Sequence, residues 1–119
     1  MVDESIIQLV QRYLRKLPEF GIQPSFGILF GSYVTGRAHQ WSDIDLVVIA
    51  KQFDTEYPHE DVSKLWRAAG RVDSRIEPIP CGERQWEEDD ETPIIEIARR
   101  EGVKVEPVEE SVSALTEEG

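Results

Sequence analysis

The chain has 119 residues with 24 acidic and 13 basic side chains, a formal net charge of −11, so a long polynucleotide partner, which a basic surface would hold, is not expected. That length carries one domain with one modest core, and 39% hydrophobic with 31% charged residues is a globular balance. A single cysteine, Cys81, excludes an internal disulfide and a Cys-rich zinc site, and no apolar run approaches the roughly 20 residues that cross a bilayer.

Taken in order, the chain opens on MVDESIIQ, which has no basic segment followed by an apolar one. A signal peptide is therefore not expected, and a cytoplasmic location is. From Asp3 to Leu17, Ile6, Ile7, Leu9, Val10, Tyr13, Leu14 and Leu17 recur at helical steps, with Asp3 as N-cap. Pro18 and Gly21 end that helix, and Ser25 to Phe30 is the first strand.

Gly31 and Ser32 follow that strand at once. Glycine permits a sharp turn and the close approach of a ligand. A helix starting at Ser32 would offer free N–H groups to an anion. After Gly36 the chain reaches Ser42, Asp43 and the apolar run Ile44–Ile49, which reads as a strand buried on both faces. Alternation places Asp43 and Asp45 on one face, with Val47 and Ile49 behind them. Two carboxylates so close, beside a core, repel each other, and a hard divalent cation such as Mg²⁺ relieves the repulsion. An anion-binding turn beside a metal-binding strand points to a metal-bound triphosphate.

Lys51 to Glu60 reads as a polar loop, a solvated connection in preference to a flap over the site, with His59 in it. Asp61 to Arg71 reads as a helix with Val62, Leu65, Trp66 and Ala69 on its core face, Trp66 being core and not a base-stacking platform. On it, Lys64 and Arg67 are expected to pair with nearby acids. Ser74 to Pro80 is a strand whose prolines, Pro78 and Pro80, suit an edge or a strand end. Gly82 to Asp90 reads as an acidic loop. Thr92 to Glu101 is a helix with Thr92 as N-cap and Pro93 at its first position, ended by Gly102. Val103 to Glu106 adds a short strand. The fold expected is α/β, a small mixed twisted sheet with helices packed mainly on one face. It forms one domain over 1–106, followed by an acidic, disordered tail over 107–119.

A two-metal site for a triphosphate asks for a third carboxylate on a neighbouring strand. Glu77 is the candidate, because an acid inside an apolar strand asks for a reason; Asp73, in a more turn-like context, is the runner-up. Arg37 is a candidate phosphate clamp, equally readable as a surface charge. His39 and His59 have no partner at metal-ligand spacing and read as loop histidines, and Cys81 lacks the context of a nucleophile. Trp41 either packs on its loop or lies over a base.

Gly31-Ser32, Gly36 and Ser42-Asp43-Ile44-Asp45-Leu46 together resemble the signature of the DNA polymerase β-like nucleotidyltransferase superfamily, most of all the minimal nucleotidyltransferases. The third acid of that superfamily is usually Asp after an apolar residue; here Ile76-Glu77 holds that place. The resemblance implies two Mg²⁺ or Mn²⁺ ions on Asp43, Asp45 and Glu77. It implies a nucleoside triphosphate such as ATP, held by Gly31, Ser32, Ser42 and Arg37, and transfer of AMP to a hydroxyl with loss of pyrophosphate. Many minimal nucleotidyltransferases work beside a small helical HEPN protein as a toxin–antitoxin pair. The resemblance therefore implies an antitoxin that modifies a tyrosine of such a partner. Two rivals stand beside it: a non-catalytic antitoxin acting by occlusion, and an aminoglycoside-type enzyme whose acceptor cleft a homodimer would build.

Overall fold

The computed structural model describes residues 2–39, 41–56 and 59–108. Four strands form one mixed sheet in the order β3-β2-β1-β4. They are β1 (Phe26–Phe30), β2 (Ile44–Ile49), β3 (Ile76–Cys81) and β4 (Val103–Val105). β1 runs antiparallel to both β2 and β4, and β2 runs parallel to β3. The helices are α1 (Glu4–Lys16), α2 (Ser32–Thr35), α3 (His59–Val72), α4 (Glu83–Glu88) and α5 (Pro93–Glu101).

The larger core lies on one face of the sheet. Val10, Tyr13 and Leu14 of α1 and Leu65, Ala68 and Ala69 of α3 meet Leu29, Leu46 and Val48 there. Asp3 caps α1 as its sequence suggests, its carboxylate accepting from Ser5 N–H. The buried Tyr13 hydroxyl donates to the carbonyl of Leu65, so the two long helices are joined by a hydrogen bond as well as by apolar contact. The opposite face is covered by two shorter helices. Ile95 and Ala98 of α5 and Trp86 of α4 pack over Ile28, Phe30, Val47, Ile49 and Cys81.

Three expectations are corrected. Residues Gly82 to Asp90 are not a loop: Glu83–Glu88 is helical. Its first N–H groups are satisfied from a distance, the Asp54 carboxylate accepting from Arg84 and Gln85 N–H. Trp66 is not core but 49% exposed. The buried stripe of α3 runs Leu65–Ala68–Ala69, and a residue one step from Leu65 is turned about 100° off it. His59 is not in a loop but opens α3. The preceding segment is also less open than expected, since Lys51–Asp54 forms a 3-10 turn that buries Phe53. Pro58 lies outside the described residues.

The prolines of β3 sit where a ladder tolerates them. β3 is an edge strand, and the carbonyls of Arg75 and Cys81 accept from Ile44 and Ala50 N–H of the β2 segment. Alternation turns Pro78 and Pro80 to the open edge, where no N–H is required. Val108, placed in the tail by the sequence, accepts from the Gln11 side chain at 2.6 Å, and 109–119 lie outside the described residues. Among the described residues no helix is long and apolar enough to cross a membrane. Lys64 lies 3.8 Å from Asp61, the pairing expected of it.

Candidate active site

Strand register assembles the carboxylates. Asp45 is the partner of Glu77 across the parallel β2–β3 pair and of Phe30 across the antiparallel β1–β2 pair. Both acids therefore lie on the sheet face of Val47, Ile49, Ile79 and Cys81, at the end where β2 and β3 begin. Asp43 is one residue short of β2 and exposed; Asp45 and Glu77 are half-buried.

The charges at this rim repel. The Glu77 carboxyl is held above its ordinary pKa first by a hydrogen bond with Asp43, then by burial and by the charges of Asp43 and Asp45. A bond between two carboxyls needs a proton on one of them. Asp45 is raised chiefly by burial and then by the charge of Asp43. Among the described residues no basic side chain forms a salt bridge with any of the three. This uncompensated, all-oxygen donor set has the chemistry a hard divalent cation meets. Its side chains do not converge on one point, however. Among the described residues, no three His, Cys, Asp or Glu side chains are placed so that they could hold a metal ion.

Gly31 fits this rim for a steric reason. Its φ of 84° and ψ of −153° belong to glycine. A Cβ there would also overlap the Asp45 Oδ2 atom, far inside the sum of their van der Waals radii. The turn thus lies directly against the central carboxylate. Ser32 opens α2, and Gly36 ends it in the left-handed region, with Arg37 N–H bonding the Ser32 carbonyl.

A model of the nucleotidyltransferase domain family matches residues 10–113. The chain belongs to the nucleotidyltransferase domain family. No curated protein matches it. Among solved structures, a crystal structure of a toxin–antitoxin with AMP-PNP is similar at a TM-score of 0.57 and 21% identity. The match covers 85% of this chain and 76% of that one, and at such identity it speaks to fold.

Within this nucleotidyltransferase domain, the other residues singled out from sequence take different places. The Ser42 hydroxyl accepts from His39 N–H at 2.9 Å, and Ser42 N–H donates back to the His39 carbonyl. Ser42 and His39 therefore close the loop that delivers Asp43. The His39 Nδ1 atom accepts from Trp41 N–H, while the Trp41 ring is 77% exposed and does not pack on the loop. Arg37 is exposed. Asp73 is bound by Arg75 through both carboxylate oxygens, at 3.0 and 2.8 Å. That hydrogen bonding is the main reason its pKa is lowered. Cys81 is buried, which pushes its thiol up to about 12.

Sequence reasoning passed over Tyr33 and Arg75. Arg75 Nη1 donates to the Tyr33 hydroxyl at 2.9 Å, and the Tyr33 hydroxyl reaches the His39 carbonyl at 3.4 Å. The one signal was an Asp-x-Arg just before β3. Asp at the start of a turn bonds backbone two residues on, as Asp73 does with Arg75 N–H at 2.9 Å.

Proposed function

We propose that this protein is a metal-dependent nucleotidyltransferase that moves AMP from ATP to a hydroxyl acceptor, a tyrosine of a helical HEPN-type partner, in an antitoxin role. The observation that carries the reading is the register of Asp45 with Glu77, with Gly31 fitted against Asp45. Family membership supports nucleotidyl transfer, and the toxin–antitoxin neighbour with AMP-PNP supports the nucleotide and the protein partner.

Mg²⁺ is commonly held by one or two carboxylates together with substrate phosphates. Asp43 and Asp45 would supply the protein's share, which suits a rim whose acids do not by themselves close around a cation, with Glu77 as third ligand or as base. Bound there, the cation would supply charge stabilisation to the phosphates and acidify the acceptor hydroxyl. The chain's own residues position the groups. The Gly31–Ser32 turn holds the triphosphate beside Asp45. The acceptor oxygen forms a bond to the α-phosphorus, the bond from that phosphorus to the bridging oxygen breaks, and pyrophosphate leaves. The hydroxyl proton passes to Glu77, the carboxylate in register with Asp45 on the neighbouring strand.

ATP labelled at the α-phosphate, incubated with Mg²⁺ and a HEPN-type partner, should leave label on a partner tyrosine; ATP labelled at the γ-phosphate should not. Label arriving from the γ position would overturn nucleotidyl transfer. The net charge of −11 favours a second reading, neutralisation of a basic partner by occlusion. Neutralisation that survives Asp43→Asn with Asp45→Asn would select it.

A further inference from the structure

Arg75 bonds both the strand that carries Asp45 and the helix that begins at Ser32. Its carbonyl accepts from Ile44 N–H at 2.8 Å, between Asp43 and Asp45, and so fixes the start of β2. Two residues after Arg75, β3 delivers Glu77. Its guanidinium is held on one side by Asp73, Nε to Oδ1 and Nη2 to Oδ2. On the other side, Nη1 donates to Tyr33, the neighbour of Ser32, with the guanidinium 6.0 Å from the ring centroid. Tyr33 packs against the larger core and reaches the His39 carbonyl in the loop before Asp43.

We propose that Arg75 is a positioning residue for nucleotide binding. Its main chain sets the carboxylate strand, and its guanidinium sets the Gly31–Ser32 turn, so that triphosphate and metal sites stand at a fixed separation. The role rests on the function proposed above. It requires the planar fork of arginine, because Asp73 takes two donors along one edge while a third points at Tyr33. A lysine ammonium cannot present donors in that arrangement.

The test uses the full chain, with Mn²⁺ as the reporter ion. Mn²⁺ alone probes the carboxylates; Mn²⁺ with ATP probes carboxylates and turn together. Arg75→Lys should leave affinity for Mn²⁺ alone unchanged and weaken Mn²⁺–ATP about tenfold. Tyr33→Phe should weaken Mn²⁺–ATP by less, and the double variant should lose no more than Arg75→Lys alone. Independently of nucleotide, hydrogen exchange at the amides of Ser32 to Arg37 should accelerate in Arg75→Lys and stay unchanged in α3 and α5. Equal loss of Mn²⁺ and Mn²⁺–ATP affinity with faster exchange throughout the chain would make Arg75 merely structural and overturn the proposal. So would unchanged ATP affinity with unchanged exchange. A wild-type protein that binds Mn²⁺–ATP nowhere would instead overturn the functional reading on which the role rests.

Discussion

Asp73 lies in the turn just before β3 and Glu77 is the second residue of that strand, and their carboxyls are treated in opposite ways. Asp73 has an arginine on both oxygens and a lowered pKa. Glu77 has two aspartates for neighbours and a raised one. The first arrangement stabilises the fold at neutral pH; the second costs stability there and is maintained by strand register. In the function proposed above, the acids without a basic partner beside the close-fitting glycine turn are the ones that meet the ligand, and the acid paired with Arg75 belongs to the frame.

The largest effect should come from the unpaired acids. Asp43→Asn with Asp45→Asn should reduce Mg²⁺-dependent ATP binding by on the order of 100-fold or more, measured by calorimetry. The same change should raise unfolding free energy by about 1 kcal/mol, because it relieves repulsion. A variant that loses both binding and stability would break the contrast drawn here.

Next comes the turn. Gly31→Ala forces a Cβ onto the Asp45 carboxylate at a backbone conformation that alanine avoids. It should cost about 1–3 kcal/mol in urea unfolding and displace Asp45 enough to lose Mg²⁺-dependent binding. Gly36→Ala, where a Cβ would meet nothing within 4 Å although φ is 81°, should be milder in both respects.

The pH dependence sharpens the comparison further, because the two kinds of acid act with opposite sign. The folded pKa of Asp73 is lowered, so its stabilisation is present above its unfolded pKa and is lost as pH falls through the folded value. The folded pKa values of Asp45 and Glu77 are raised, so they lower stability as pH rises from their unfolded values through the folded ones. In urea midpoints measured between about pH 2 and pH 7, Asp73→Asn should lose its excess stability deficit in acid. Asp45→Asn should gain on wild type as pH rises.

Much of this contrast was readable in the sequence, because the unpaired acids sit in a strand with a period. Ile44–Ile49 is apolar at every position but one, so the aspartate at its second position announces itself, and Glu77 does so between Ile76 and Ile79. The frame was less readable, because its contacts join distant segments. Arg75 meets Tyr33 across 42 positions, and nothing in either neighbourhood names the other. The helix Glu83–Glu88 was missed for the same reason: its cap is Asp54, and it buries one side of Trp86 against Phe26 instead of showing an apolar stripe. Trp66 was misplaced because its apolarity outweighed its angle on α3, where the alanines and not the tryptophan face the core.

The smallest effect belongs to Trp41. With its ring 77% exposed, Trp41→Ala should change unfolding free energy by no more than about 0.5 kcal/mol, measured by urea titration. A larger loss would show that the loop before Asp43 leans on the ring.

The central claim is that the unpaired rim is a nucleotide and metal site. Calorimetric titration of ATP with and without Mg²⁺, on wild type and on Asp45→Asn, tests it most directly. The account predicts binding that requires Mg²⁺ in wild type and disappears in the variant. Binding of equal strength in the two proteins, or binding indifferent to Mg²⁺, would contradict it.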